Sequence, residues 1–567
     1  MKADLILLHP PSIFDFRERP ILWGPINDLI PSTPVFEMYP IGFVSIASTL
    51  EKQGYRVRIV NLALRMLNSK SFDPERYIKK MQAEAFGIDL HWMPHVHGAV
   101  NLAKMCKRLH ENVPVIMGGL SASYFHREIL ESLPEVDFVL RGDSTERPMV
   151  ELMEAISGEG KLSDVPNLSY REGSRVVINP LSYVPDNLDD FRLDYEYMFR
   201  SIIKTRSLDA LPFYEFLERP IMAVLTRKGC ESNCIACGGS SYAYSRVCNR
   251  HSVALRRPEM VVEDILKIQE FNSPAFVLGD LAMGGEGYGR RVLELLRRER
   301  VDIPLVFEFF TPPPRGFIRE LARSVGDFTI EMSPESGDPE VRAKIGRNYS
   351  NAQLEKMLRS AFSAGCRQFD LYFMIGLGGQ TRESVDFTIK LARRLVEEYS
   401  HGRLIPFISP YAPFLDPGSI AFEHPELHGF VKYASSLMDH YSLLQNGLTW
   451  KDFLSYRTTH LSRDDIVNLS YDSALRLARI KAEARLITDE KLAEIERGIA
   501  ISRQMIQLVE HHRTQGTLGE EQVGESLYEL RERLMIDRRE LDWSQGLRVK
   551  WMLSIFIKFL RSFLPGL

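Results

Sequence analysis

The 567-residue chain is poor in thiols, with six cysteines in all. So few cannot staple a fold of this size, which excludes a disulfide framework and points to a reducing cytoplasm. Positive charge is not in excess either. Lysine and arginine total 71 against 75 acidic residues, a net of −4 at neutral pH. Without a strongly basic domain, no nucleic-acid partner is expected. No run of 18 or more purely apolar residues occurs, so no spanning helix is predicted. A signal-peptide pattern is missing as well: residues 1–9 run directly into an apolar segment that reads as a first strand. Hydrophobic and charged contents of 44% and 26% are those of a globular protein. The length is too great for one core, so two to four domains are expected.

The thiols that exist are concentrated. Cys230, Cys234 and Cys237 stand in Arg227-Lys-Gly-Cys-Glu-Ser-Asn-Cys-Ile-Ala-Cys-Gly-Gly239, spaced C-x3-C-x2-C, while Cys106, Cys248 and Cys366 are scattered. Three thiolates on one loop can hold three irons of a cubane and leave the fourth open to a substrate or cofactor. Flanking glycines let the backbone curl round such a cluster. Structural zinc usually takes four ligands from paired knuckles, and no second knuckle is present. The spacing therefore favours an iron–sulfur cluster over zinc.

Before this loop, strand and helix alternate. Apolar runs at 5–8, 55–62, 85–90, 113–117 and 136–140 read as strands. Helical spacing covers 41–53, 100–111, a segment from about Tyr124, and 147–156. That rhythm predicts a doubly wound, Rossmann-like parallel sheet over residues 1–156, with ligands beyond the carboxyl ends of its strands. His9–Ser12, 91–97 and 118–123 converge there. Gly118, Gly119, Ser121 and Ser123 form a turn that can take a polar ligand tail or be an ordinary strand-to-helix connection. His91, His95 and His97 are metal-ligand candidates or simply polar loop residues. Residues 157–219, rich in Gly, Pro, Ser and Asp, read as linker and cover, with a hairpin near 168–177. From residue 220 the alternation resumes. Strands are expected at 221–226, 275–278, 305–310, 328–332, 369–375 and 404–408. Helices are expected at 261–271, 290–300, 352–364 and 383–399. Six such units over 220–420 predict a partial (β/α)6 TIM-type barrel with its site at the strand C-termini.

The N-terminal layout resembles the cobalamin-binding domain that precedes the catalytic domain in a subgroup of radical S-adenosylmethionine (SAM) enzymes. The likeness rests on His9-Pro-Pro, Gly118-Gly-Leu-Ser-Ala-Ser123 and Val136-Asp-Phe-Val-Leu-Arg-Gly-Asp143. The subgroup's Asp-x-His-x-x-Gly motif is met only as Asp89-Leu-His91, followed by Trp92-Met-Pro94. The central region resembles radical SAM enzymes through the cysteine loop, Glu335-Ser-Gly-Asp-Pro-Glu-Val341 with Ile345-Gly-Arg347, and Tyr372-Phe-Met-Ile-Gly-Leu-Gly-Gly379. It departs at Ala236, where the family usually has an aromatic, so another bulky residue is expected to pack on adenine.

The resemblance implies that Cys230, Cys234 and Cys237 hold a 4Fe–4S cluster whose open iron binds SAM. It implies a guanidinium partner for the SAM carboxylate in Arg347, and ribose or amine contacts from Ser333, Glu335 and Ser336. Asp280 falls near the SAM amine, and Gly376 and Gly378 give room to adenine. His91, Gly118, Gly119, Ser121 and Ser123 form a cobalamin-type pocket. For Asp280 and Glu308 a capping or surface role competes. Asp370 and Tyr372 lie on a late strand whose inward face alternation alone does not assign.

Residues 421–545 are expected to be helical, with segments at 429–444, 464–486 and 490–511. The last segment, 546–567, sets Lys550, Ser554, Lys558 and Arg561 on one stripe against many large apolar residues. It reads as a helix lying on a membrane surface, basic stripe toward lipid phosphates, or as a helix docked on the protein. The expected function is radical activation of an unactivated carbon in a hydrophobic lipid or isoprenoid substrate, for methylation or C–C bond and ring formation. A one-electron donor such as flavodoxin or ferredoxin would serve it, in the cytoplasm or at the inner face of the membrane. The alternatives are a cobalamin- or redox-responsive binding protein without turnover and a methylthiotransferase-like enzyme.

Overall fold

The computed structural model describes residues 2–18, 38–399, 404–411, 413–515 and 547–563. Its first sheet contains strands β1 (Ala3–His9), β2 (Val57–Asn61), β3 (Ala83–Asp89), β4 (Val115–Gly118), β5 (Phe138–Leu140), β6 (Leu168–Glu172) and β7 (Arg175–Ile178). Their order is β2-β1-β3-β4-β5-β6-β7. The first five are parallel. Leu5, Ile6, Leu7 and Leu8 of β1 are all buried, as a strand covered by helices on both faces requires. Strand order reverses between β1 and β3, which opens a crevice at their carboxyl ends. The doubly wound expectation holds. The hairpin near 168–177 pairs antiparallel onto β5 and continues the same sheet. The 118–123 segment is not all turn: a helix spans Leu120–Tyr124 directly after Gly119, so Ser121 and Ser123 are helical.

The second sheet is built from β8 (Met222–Leu225), β11 (Ala275–Leu278), β12 (Leu305–Phe309), β13 (Phe328–Glu335), β14 (Gln368–Ile375) and β15 (Leu404–Pro410). All six are parallel, in the order β15-β14-β13-β12-β11-β8. This is the expected partial barrel, with β8 and β15 as its two edges. Short strands β9 (Arg227–Lys228) and β10 (Ala254–Leu255) pair antiparallel just before the cysteine loop. The first helix after that loop is Ser241–Cys248, ahead of Pro258–Gln269. Ser240 caps it by accepting from Ala243 N, and Asn249 ends it in the left-handed conformation.

Beyond the barrel, 429–444 is not one helix. Strand β16 (Phe430–Lys432) pairs antiparallel with β17 (Tyr456–Thr458), and only Leu437–Asn446 is helical. The Phe430 and Tyr456 rings meet across that pair at 5.5 Å, a long-range contact that local spacing does not reveal. Arg463–Glu483 and Asp489–Gln515 are helical as expected. The two halves of the molecule are pinned together. Arg250 forks onto Asp143 at 2.5 and 3.1 Å, both side chains buried. Lys228 reaches Glu146 at 3.2 Å. Glu128 accepts from Leu437 N and Met438 N at 2.9 and 3.0 Å.

The terminal helix, Arg548–Phe563, docks on the protein by the face expected to meet lipid. Trp551 is fully buried against Phe199, Phe216 and Phe271, and its Nε1 donates to Leu217 O at 3.2 Å. Asn272 Nδ2 donates to Ser554 Oγ, and Lys558 pairs with Glu196 and Glu270, each at 2.8 Å. Ser554 and Lys558 therefore face inward, while Val549, Met552, Leu553, Phe556 and Ile557 stand exposed. The Arg561 side chain lies outside the described ones. Among the described residues no helix is long and apolar enough to cross a membrane.

Candidate active site between the two domains

The cysteine loop follows β9 at the carboxyl end of the barrel. Its backbone is fixed from two sides: Ile235 N donates to Ile345 O at 3.1 Å, and Ala421 N donates to Ile235 O at 2.7 Å. Gly346 sits against it at φ +97°, where a Cβ would come 2.9 Å from Asn233 O and 3.1 Å from Cys234 Cα. Only glycine adopts that conformation at that distance without strain. Amides already point at sulfur: Ser232 N to Cys230 Sγ at 3.4 Å and Gly239 N to Cys237 Sγ at 3.3 Å. Burial pushes the Cys234 thiol up, with Arg347 pulling it down, and pushes Cys237 up to about 12. Binding to iron would offset that cost, since a metal-bound thiol is deprotonated. Among the described residues no three Cys, His, Asp or Glu side chains close on one point as ligands of a single ion do. A cubane takes one thiolate on each of three irons, and three cysteines on one short loop are the donor set it needs.

Arg347 reaches the same rim. It is buried, its Nη1 donates to Phe310 O at 2.8 Å, and its Nη2 meets Glu335 Oε1 at 3.3 Å. Arg347 Nε and Glu335 Oε2 have no hydrogen-bond partner among the described residues. These are a donor and an acceptor of the kind a zwitterionic methionine end needs. Glu335 is held at φ +65° after a register shift in β13, an uncommon conformation for this residue type. Ser333 is on the inward face two residues earlier and lines the central cavity.

Three other SAM candidates are committed elsewhere. Asp280 is buried with Oδ1 accepting from Ala282 N and Oδ2 from Phe310 N, at 2.8 and 2.9 Å. Burial raises it to about 6, and it organises the loop ends in the capping role. Ser336 is buried against the helix Arg382–Glu398, beside Thr388, with its Oγ accepting from Asp338 N at 3.1 Å. Gly376 makes room for the protein's own chain: a Cβ there would stand 2.9 Å from Tyr456 Oη, and one on Gly378 would strike His428 O.

A bulky residue that does reach Ala236 is Tyr411, whose hydroxyl donates to Ala236 O at 2.5 Å. It comes from just past β15, 175 positions away, so no local signal marks it. Asp416 is a second residue invisible to spacing. Its Oδ2 accepts from Gly238 N at 2.8 Å, and burial raises it to about 6.

A cavity of about 1030 Å³ joins the two sheets. His91, Gly118, Gly119, Gly142 and Asp143 line it from the first sheet, and Arg227, Lys228, Glu308, Glu331 and Tyr372 from the barrel. Gly119, at φ +115°, lets the loop approach His91 backbone to 2.7 Å of a hypothetical Cβ. Burial lowers the His91 pKa, which favours the neutral imidazole that can bind metal. Ser121 and Ser123 support the wall from behind: Ser121 Oγ donates to His91 O at 2.9 Å, Ser123 Oγ to Gly119 O at 2.7 Å, and Gly142 N to Ser123 Oγ at 2.9 Å. On the first sheet's side this large, mainly apolar space is edged by glycine backbone and by the His91 and His95 imidazoles, which fits a cobalamin-sized group. His97 points away from it, with Nε2 at 2.7 Å from Gln445 Oε1. His95 lines the cavity and packs edge-on to His9 at 4.9 Å. Tyr372 lines the cavity too, which puts Asp370, two residues earlier, on the same inward face.

Family models match these same two regions: a B12 binding domain over residues 29–150 and the radical SAM superfamily over 224–392. An uncharacterised methyltransferase of Pyrococcus horikoshii is 26% identical over 398 residues, covering 68% of this chain and 78% of its own. The hopanoid C-3 methylase of Methylococcus capsulatus is 24% identical over 271 residues, covering 47% and 48%. The radical SAM methyltransferase TsrM of Kitasatospora setae, solved with tryptophan and a SAM analogue, shares the fold at TM-score 0.54 and 16% identity. It covers 76% of this chain and 78% of its own. The domain content implies a 4Fe–4S cluster, SAM and cobalamin. With both family models matched to these two regions, the chain is a radical SAM enzyme carrying an N-terminal cobalamin-binding-type domain.

Proposed function

We propose that the enzyme functionalises an unactivated carbon of a largely hydrophobic substrate, by methyl transfer or by C–C bond formation. The observation that carries this reading is the large, mainly apolar cavity reached from both domains. Cys230, Cys234 and Cys237 would hold the cluster, which when reduced would supply one-electron chemistry to bound SAM. The chain's own residues do the rest. Arg347 and Glu335 orient the methionine end of SAM, Tyr411 packs the segment at Ala236, and the apolar walls exclude water from the reacting carbon. A flavodoxin or ferredoxin is the fitting electron donor. The hopanoid methylase among the relatives supports a lipid or isoprenoid substrate.

The exposed apolar face of Arg548–Phe563 supports attachment to a membrane surface, although by the face opposite to the basic stripe. Removing residues 546–567 is expected to abolish binding to phospholipid vesicles; unchanged binding would end that part of the reading. The chemistry is tested by anaerobic incubation of reconstituted protein with methyl-labelled SAM and a reductant. The expected result is 5′-deoxyadenosine from wild type and none from Cys234→Ala. Label in the product indicates methyl transfer, and its absence indicates coupling.

A further inference from the structure

The cysteine loop is strapped from outside by the segment that follows β15. Tyr411 Oη donates to Ala236 O at 2.5 Å, Gly238 N donates to Asp416 Oδ2 at 2.8 Å, and Ala421 N donates to Ile235 O at 2.7 Å. The strap is itself fixed. Ser455 N donates to Pro413 O and Leu415 N to Ser455 Oγ, at 2.8 and 3.3 Å, and Ser419 N closes a turn onto Asp416 O at 3.1 Å. Gly418, at φ +79°, packs where a Cβ would stand 2.4 Å from Val247 Cγ2 and 3.3 Å from Tyr124 Cδ2. Asp416 is therefore held in one place by groups on both sides of it.

Two successive amides of the loop part company there. Gly239 N points at Cys237 Sγ at 3.3 Å, while Gly238 N is taken by the Asp416 carboxylate. Gly238 has no side chain to keep that carboxylate off: a Cβ would stand 2.8 Å from Asp416 Cβ and 3.2 Å from its Cγ and Oδ2. Asp416 makes no ion pair among the described residues, and the Gly238 amide is the group that holds its charge. Arg347, the cation of the rim, is committed to Phe310 O and Glu335.

We infer that Asp416 is a positioning residue that lowers the reduction potential of the cluster at Cys230, Cys234 and Cys237. This rests on the cluster implied by the thiol set and the family models, and extends it to a residue outside the cysteine motif. The potential of such a cluster is set by net charge, by hydrogen bonds to its sulfurs and by exposure to solvent. Asp416 acts on the first two. Reduction brings one electron, from the external donor, beside a carboxylate already there, and away from bulk water that repulsion is screened less. Gly238 N, bonded to the carboxylate, is withheld from sulfur. Both effects disfavour the reduced form, so the electron is harder to load and leaves more readily.

Potentiometric titration of the full chain tests this, on protein reconstituted anaerobically with iron and sulfide and followed by the cluster's EPR signal at mildly alkaline pH. Asp416→Asn keeps an acceptor for Gly238 N and removes the charge. It is expected to hold wild-type iron and to shift the reduction equilibrium about tenfold toward the reduced form, a rise of about 59 mV in midpoint potential for one electron. Tyr411→Phe removes a hydroxyl from the same strap and no charge, and its potential is expected to match wild type. A fully loaded Asp416→Asn protein at the wild-type potential would overturn the inference. So would an equal rise in both variants, which would trace the shift to a loosened strap. Loss of the cluster from Asp416→Asn would overturn it too, leaving Asp416 a structural support.

Discussion

At the scale of single residues the site is a set of charges held where water cannot screen them. Arg347 beside Glu335 and the Cys234 thiol is the clearest case. A charge-assisted hydrogen bond contributes about 1.5–3 kcal/mol. Arg347→Ala should therefore weaken SAM binding to the cluster-loaded protein by about ten- to a hundredfold, with Arg347→Lys in between, as read from the SAM-induced change in the cluster's EPR spectrum. Glu308 gives a pH signature. Burial moves it from an ordinary 4.5 to about 7, so the folded chain holds its proton more tightly than the unfolded one. The stability linked to this group is complete below pH 4.5 and is lost as the pH rises through about 7. Melting of the cofactor-free protein should show that decline, and Glu308→Gln should flatten it. The three cysteines and Arg347 stand out as candidates in the sequence because they sit in short local patterns. Ser336 and Gly376 matched patterns equally well but serve packing. Sequence spacing reports that a residue is near the rim, not which side of the strand end it occupies.

At the scale of elements, close approach matters more than propensity. The Ile345-Gly346 turn holds the cysteine loop by one hydrogen bond and one missing Cβ. Gly346→Ala forces a side chain into the left-handed region and against Asn233. It is expected to cost about 1–3 kcal/mol and to lower iron uptake, measured by iron analysis after reconstitution; full uptake with an unchanged melting temperature would contradict this role. Strands and most helices were readable from alternation and caps. The β16–β17 pair was not, because Phe430 finds Tyr456 across 26 positions of chain. The terminal helix shows the same limit: its amphipathic pattern was plain, but Trp551 decides which face docks. Trp551→Ala removes a fully buried indole, which is expected to cost about 3–5 kcal/mol locally and to release residues 548–563 to proteolysis while the barrel melts as before.

At the scale of the whole molecule, two sheets meet so that the crevice of one opens onto the carboxyl end of the other. Arg250 links them. It forks onto Asp143 in the crevice wall, and its side chain also backs Gly229, next to Cys230. Breaking a buried pair by removing one partner costs about 3–5 kcal/mol. Arg250→Ala should therefore uncouple the domains, seen as a separate, earlier unfolding step. The fold class was readable from the two rounds of strand-helix alternation. Their shared cavity was not, because it is lined by residues as distant as Tyr39 and Met374.

The central claim is that this cavity brings cobalamin and a SAM-binding cluster into one site. Metal analysis of protein purified anaerobically from cells supplied with cobalamin tests it most directly. The account predicts cobalt in equal amount to the chain, together with iron at the level of one 4Fe–4S cluster, and loss of iron but not of cobalt in Cys234→Ala. Protein that holds its full iron and no cobalt would contradict it.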